Sequence, residues 1–209
     1  MGDDIELRAF TFLDCLQPAF ASFVATTSRG FLPVEGQAAL FVEIAPGIAI
    51  NRITDVALKG NDVKPGVLVV ERAFGLLEIH SESQAEVLSA GRRILESLGR
   101  DEKDRLEPAV KSSQIITNID PYQAVLINKT RYGDMLLGGD TLYILEVHPA
   151  AYATLAANEA EKAAPVKLIQ MQPFGAFGRL YLGGTDAAIR EAVAAIMAAL
   201  DGVDGRSNT

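Results

Sequence analysis

Tryptophan is absent from the 209-residue chain, cysteine occurs once and histidine twice. A single thiol, Cys15, cannot close an internal disulfide, and His80 and His148 are too few to complete a structural zinc site, so no metal centre is expected. Both histidines read as ordinary strand-end residues. Basic residues are also scarce. With 19 Lys and Arg against 27 Asp and Glu, the net charge is −8. Such a chain lacks the concentrated basic surface that a phosphate backbone demands, which sets nucleic acid aside. Apolar runs break at charge or glycine well before the roughly 20 residues a membrane span needs. The start, "MGDDIELR", is acidic where a signal peptide would be basic. These features predict a soluble cytoplasmic protein with no membrane partner. No Walker loop, no G-x-G-x-x-G and no Ser/His/Asp constellation stands out, so neither an enzyme nor a cofactor site is expected.

Apolar residues are abundant, however: 49% of the chain is hydrophobic, 22% is charged and the mean hydropathy is +0.18. That composition can bury a substantial core in one large domain or two small ones. An offset of 103 residues decides for two. It aligns Pro18 with Pro121, Gly30 with Gly133, Gly36 with Gly139, Glu43 with Glu146 and Pro46 with Pro149. The same register continues through Ala57 and Ala160, Lys59 and Lys162, Val63-Lys64 and Val166-Lys167, Ala73-Phe74-Gly75 and Ala176-Phe177-Gly178, and Gly99 and Gly202. One ungapped register over nearly the whole chain means two copies of one domain, at 1–103 and 104–209, joined by the charged, proline-bearing segment 99–111, "GRDEKDRLEPAVK".

Each copy reads as strand, helix, strand, helix, two strands, helix. In copy one, "LRAFTFLD" alternates as a strand should, and "QPAFASFVATT" places proline near a helix start. "AALFVEIAP" is a buried strand, and "GIAINRITDVALK" puts Ile48, Ile50, Ile53, Val56 and Ala57 on one helical face. "VLVVER" and "GLLEIH" are strands about a tight Ala-Phe-Gly connection, and "SQAEVLSAGRRILESLG" is a helix. Copy two repeats the order from "QIITNI" to "TDAAIREAVAAIMAALDG". Helices alternating with sheet strands imply an α/β, two-layer sandwich in each half.

Copy two's Glu-bearing strand, its amphipathic helix ending in "EKAA", the "VKL" strand, the Gly-rich loop and "TDAAIREAVAAI" resemble the shell-protein domain of bacterial microcompartments. Each copy begins with the strand and helix that the ordinary domain places at its end. The chain is therefore similar to the circularly permuted, tandem-domain class, and most similar to its gated-pore, carboxysome-type members. The resemblance implies a homotrimer that imitates a hexamer and tiles with hexameric and pentameric shell proteins, and whose trimers can stack face to face. It also implies a pore on the symmetry axis through which small metabolites pass.

The resemblance places the loop between the third and fourth strands of each copy at that pore. Copy one supplies Glu71, Arg72, Ala73, Phe74 and Gly75; copy two supplies Phe174, Gly175, Ala176, Phe177 and Gly178. Glycines 75, 175 and 178 are expected to let the backbone approach the axis, and Phe74 and Phe177 to anchor the loops. Only copy one brings charge. Like carboxylates ~4 Å apart at an effective dielectric of about 20 repel by roughly 4 kcal/mol, so Arg72 is expected to pair with Glu71 across subunits and to close or open the hole by a change of rotamer. Lys162 in "EKAA", and less closely Lys59 in "LKGN", match the lysine at the edge between assemblies. Glu43 and Glu146, equivalent under the repeat, read as one structural position rather than a catalytic pair. The competing class of function is a small-molecule-binding regulatory protein built from duplicated sandwiches, which a discrete, saturable binder would reveal.

Overall fold

The computed structural model describes residues 5–208. Copy one comprises β1 (Glu6–Leu13), α1 (Pro18–Thr27), β2 (Ala38–Ala45), α2 (Ile50–Leu58), β3 (Lys64–Glu71), β4 (Phe74–Ser81) and α3 (Gln84–Leu98). Copy two comprises β5 (Ala109–Ile116), α4 (Pro121–Asn128), β6 (Thr141–His148), α5 (Tyr152–Ala163), β7 (Lys167–Gln172), β8 (Gly178–Gly184) and α6 (Asp186–Asp201). The strands form two antiparallel four-stranded sheets, ordered β1-β2-β4-β3 and β5-β6-β8-β7.

The offset of 103 recurs in the backbone. β1 and β5 start and stop in register, the bulge at Leu7/Ala9 returns at Val110/Ser112, and that at Pro65/Val67 returns at Leu168/Gln170. The cis bonds Ala45–Pro46 and His148–Pro149 match, as do the left-handed glycines Gly36 and Gly139.

Two expected boundaries move. The first strand of copy two, expected from Gln114 to Ile119, runs from Ala109 to Ile116, so the end of the expected linker is already strand. Its polar sequence hid it, because β5 is an edge strand exposed along much of its length. The helix expected from Gly47 begins as a 3-10 turn over Gly47–Ala49, and Ile48, assigned to the buried face, is 69% exposed.

β2 is buried on both faces, which is why it reads as a continuous apolar run. Leu40, Val42 and Ile44 join Leu77, Ile79, Ile50, Ile53, Val87 and Ile94 in a core beneath α2 and α3. The opposite face of the sheet, with Ala39, Phe41 and Leu76, does not close on its own. Together with Phe20, Phe23 and Val24 of α1 it merges into copy two's core of Tyr143, Leu145, Tyr152, Leu180 and Ile189. The corresponding face of copy two carries only a small cluster of Ile119, Ala124, Leu136, Leu142 and Ile169.

Candidate functional site

The β3–β4 connection is a two-residue turn, Arg72-Ala73, with Phe74 and Gly75 already in β4. Arg72 adopts a left-handed backbone, φ 53°, which costs an L-residue about 1 kcal/mol or more. The Ala73 carbonyl accepts the Gly47 N–H at 2.8 Å, tying the turn to the 3-10 turn that leads into α2. Arg72 points its side chain into solvent, 92% exposed, with Nε 3.7 Å from Oε1 of Glu71. This is a loose pair free to change rotamer, not a locked bridge. The copy-two connection is longer, Pro173 to Phe177, and Gly175 turns at φ 99°. The two loops meet: a Cβ on Gly175 would sit 3.8 Å from Cγ of Glu71.

The remaining loop residues make contacts within the chain. A Cβ on Gly75 would lie 2.4 Å from the Gly47 carbonyl oxygen, and one on Gly178 would lie 2.1 Å from that of Ala150. Gly75 and Gly178 therefore let each strand pack against a helix start within its copy. Ala176 is exposed. Phe174, not Phe177, packs on the shared core. Phe177 instead meets the His148 ring edge-on at 6.1 Å, and Phe74 lies beneath the Arg8 guanidinium at 3.6 Å.

Behind the loops lies a buried polar network that sequence reasoning missed in part. Glu43, 1% exposed, accepts from Nε of Arg8 at 2.8 Å and from the Ala151 N–H at 2.8 Å, so one carboxylate holds β1 and the first turn of the α5 region together across the copies. Burial pushes its carboxyl up, and Arg8 and the backbone donors pull it down without cancelling the rise. Glu146, its counterpart, pairs with Arg179 at 2.9 Å and stays partly open. Glu78 and His80 form a second buried pair. Glu78 Oε1 lies 2.9 Å from His80 Nδ1, and Oε2 accepts the Gly66 N–H at 3.0 Å at the β3 bulge. The available signal was Leu76, Glu78 and His80 alternating on a face where copy two has Arg179, Tyr181 and Gly183.

Lys162 is committed within the chain. Its Nζ lies 2.8 Å from Asp14 Oδ1 and 2.8 Å from Glu159 Oε1. Burial opposes its charge, but these carboxylates outweigh burial and hold the ammonium pKa above its ordinary value. Lys59, more exposed, pairs with Asp55 one helical turn back. The described residues contain no group of three or more His, Cys, Asp and Glu able to hold a metal. No described helix is long and apolar enough to cross a membrane.

Two permuted sandwiches in one chain, with their Gly-rich loops side by side, define the tandem-domain class of microcompartment shell protein. The family described as the CsoS1D N-terminal domain matches residues 7–104. The chain is 52% identical over 204 residues to carboxysome shell protein CcmP of Synechococcus elongatus, covering 98% of this chain and 96% of that protein. It is 47% identical to carboxysome shell protein CsoS1D of Hydrogenovibrio crunogenus, covering 97% of this chain and 100% of that one. Among solved structures, a fused permuted hexameric shell protein of the RMM microcompartment superposes with a TM-score of 0.93 at 48% identity, covering 96% of this chain and 98% of that one. A double-ringed trimeric shell protein of the same compartment gives 0.94 at 41% identity, covering 98% and 100%. The chain belongs to the carboxysome-type, tandem-domain family of microcompartment shell proteins. Its role is structural, in the shell of a microcompartment, and the regulatory-protein alternative gives way to it.

Proposed function

We propose that three copies of this chain close into a ring of six sandwich domains that forms part of a shell facet, with Glu71 and Arg72 as a movable gate at its centre. The supporting observation is a mismatch between faces equivalent under the repeat. Phe23 is 2% exposed against copy two, whereas Leu126, its counterpart, is 61% exposed; Ala151 is 0% exposed and its counterpart Ile48 69%. The unmet faces of α4 and of the α2 start are the two halves of a junction already made once inside the chain. A second copy meets both, and closure after three chains satisfies every junction.

In that ring the copy-one and copy-two loops alternate around the axis, as the contact between Glu71 and Gly175 favours. The charge is threefold, with Arg72 on a strained turn that a merely structural residue would not need. Side chains this exposed can sweep an opening that metabolites of the enclosed pathway cross, while the copy-two loop frames it. Hexameric and pentameric shell proteins are the lateral neighbours, and stacking of two rings is the second assembly open to it, as in the double-ringed relative. For the lateral edge, Lys59 is the better placed of the two lysines, since both it and its partner Asp55 are exposed.

The test is a pair of assembly structures, parent and Glu71→Ala/Arg72→Ala. A trimer mass, or twice that, with an axial opening lined by these residues and wider in the double variant, is the expected result. Glu71 and Arg72 lying off the axis in every subunit would end the gate reading and leave the shell role untouched.

A further inference from the structure

We propose that Arg8 and His148 form a positioning link that couples the two loops of one chain, and that the link holds only while His148 is neutral. The inference rests on the pore reading for its consequence but not for its geometry. Arg8, 5% exposed on β1, has its guanidinium stacked 3.6 Å over Phe74 at the base of the copy-one loop. Its Nη2 lies 2.8 Å from His148 Nε2. The His148 ring in turn packs edge-on against Phe177 at the base of the copy-two loop, 6.1 Å between centroids. The chain of contacts Phe74, Arg8, His148, Phe177 thus runs from one loop to the other, and Glu43 fixes its middle through Arg8 Nε at 2.8 Å.

The partners decide the protonation state. Arginine only donates, so Nε2 of His148 must carry the lone pair. The proton then lies on Nδ1, which donates to Asn208 Oδ1 at 2.9 Å. The Asn208 amide group is oriented by its own donations to the carbonyls of Glu107 at 2.7 Å and His148 at 2.8 Å. A proton added at Nε2 removes the acceptor and sets two cations face to face. The charges around the ring are Arg8 and Glu6 from β1, Lys111 from β5, and Glu43 from β2 acting through Arg8; Arg206 of the tail is 3.3 Å from Glu6. Desolvation first, and Arg8 next, hold the imidazole below its ordinary value.

Under the repeat, Arg8 becomes Lys111 and His148 becomes Ala45, so the junction between successive chains cannot make this link. It ties the loops in pairs, one pair per chain.

Hydrogen exchange of the assembled full-length chain, corrected for intrinsic rate, tests it between pH 7.5 and 5.5. The parent's loops at residues 71–75 and 174–178 are expected to lose protection together on acidification, by on the order of tenfold, the factor that accompanies a lost charge-assisted hydrogen bond. His148→Gln, which keeps an acceptor but cannot titrate, should show no such step. An undiminished step in His148→Gln, or a parent in which only one loop responds, overturns the proposal. Should that variant fail to fold, NMR titration of the parent's His148 serves: a midpoint below 6.5, raised in Arg8→Met, is expected. A midpoint at or above 6.5, or one unmoved by Arg8→Met, overturns it. Loops that move together but lie off the axis would refute the pore reading alone.

Discussion

Glu78 is a carboxylate with no exposed surface, set in copy one where the repeat places Tyr181 in copy two. Its two oxygens are matched to the Gly66 N–H and to His80, so removing it strands both. Glu78→Ala is expected to cost about 3 kcal/mol, the toll of breaking a buried pair, while Glu78→Gln, which can still accept from Gly66, should cost no more than about 1 kcal/mol. Burial raises its folded-state pKa above 4.5, against the lowering by His80. The folded state thus binds the proton before the unfolded state does. The parent therefore gains stability from this group as pH falls from the raised value to 4.5, and Glu78→Gln should remove that gain from the pH profile of thermal unfolding. Arg72 makes the opposite point about a residue: with φ 53° and its side chain 92% exposed, it meets little of its own chain, and the proposed gate is the role that would use such a side chain.

Among elements, α1 departs furthest from its sequence signature. Pro18 marks its first turn, as expected, yet Gln17 supplies no side-chain cap. The free N–H groups of Ala19 and Phe20 go instead to the Glu161 carboxylate, both at 2.8 Å, and that of Gln17 goes to buried Asn158 at 3.0 Å. A carboxylate at a helix N-terminus both caps it and complements its dipole. Glu161→Ala should therefore lower stability by about 1–2 kcal/mol in denaturant unfolding. The equivalent α4 is capped by its own Asp120, accepting from Tyr122 N–H at 2.8 Å, and Asp120→Ala should cost a similar amount without touching the junction between copies. Both helices were legible from proline and apolar spacing, whereas the cap of α1 was not, because it comes from 142 residues away.

At the scale of the molecule, the shared core of copy one and copy two is one completed junction, and in the proposed ring the α4 face is its open counterpart. Leu126→Asp places a charge at the centre of that face and should yield a folded monomer by light scattering, with near-parental far-UV dichroism. The same substitution at Phe23 should instead unfold the chain, since Phe23 is buried within it. A Leu126→Asp protein that remains trimeric would place the subunit contact elsewhere.

The sequence by itself determined the duplication, the order of elements, the two loops and the charge asymmetry between them. Those features follow from short-range causes: apolar period, turn residues, and a fixed offset that repeats both. Tertiary structure alone decided that Gly75 and Gly178 answer to helix packing, that Lys162 is spoken for by Asp14, and that Arg8, Glu43 and His148 join the copies. These pairings link residues up to 148 apart, and no local period encodes which apolar face docks on which. They arise only when burial of one face brings distant polar groups out of water together, where each must find a partner.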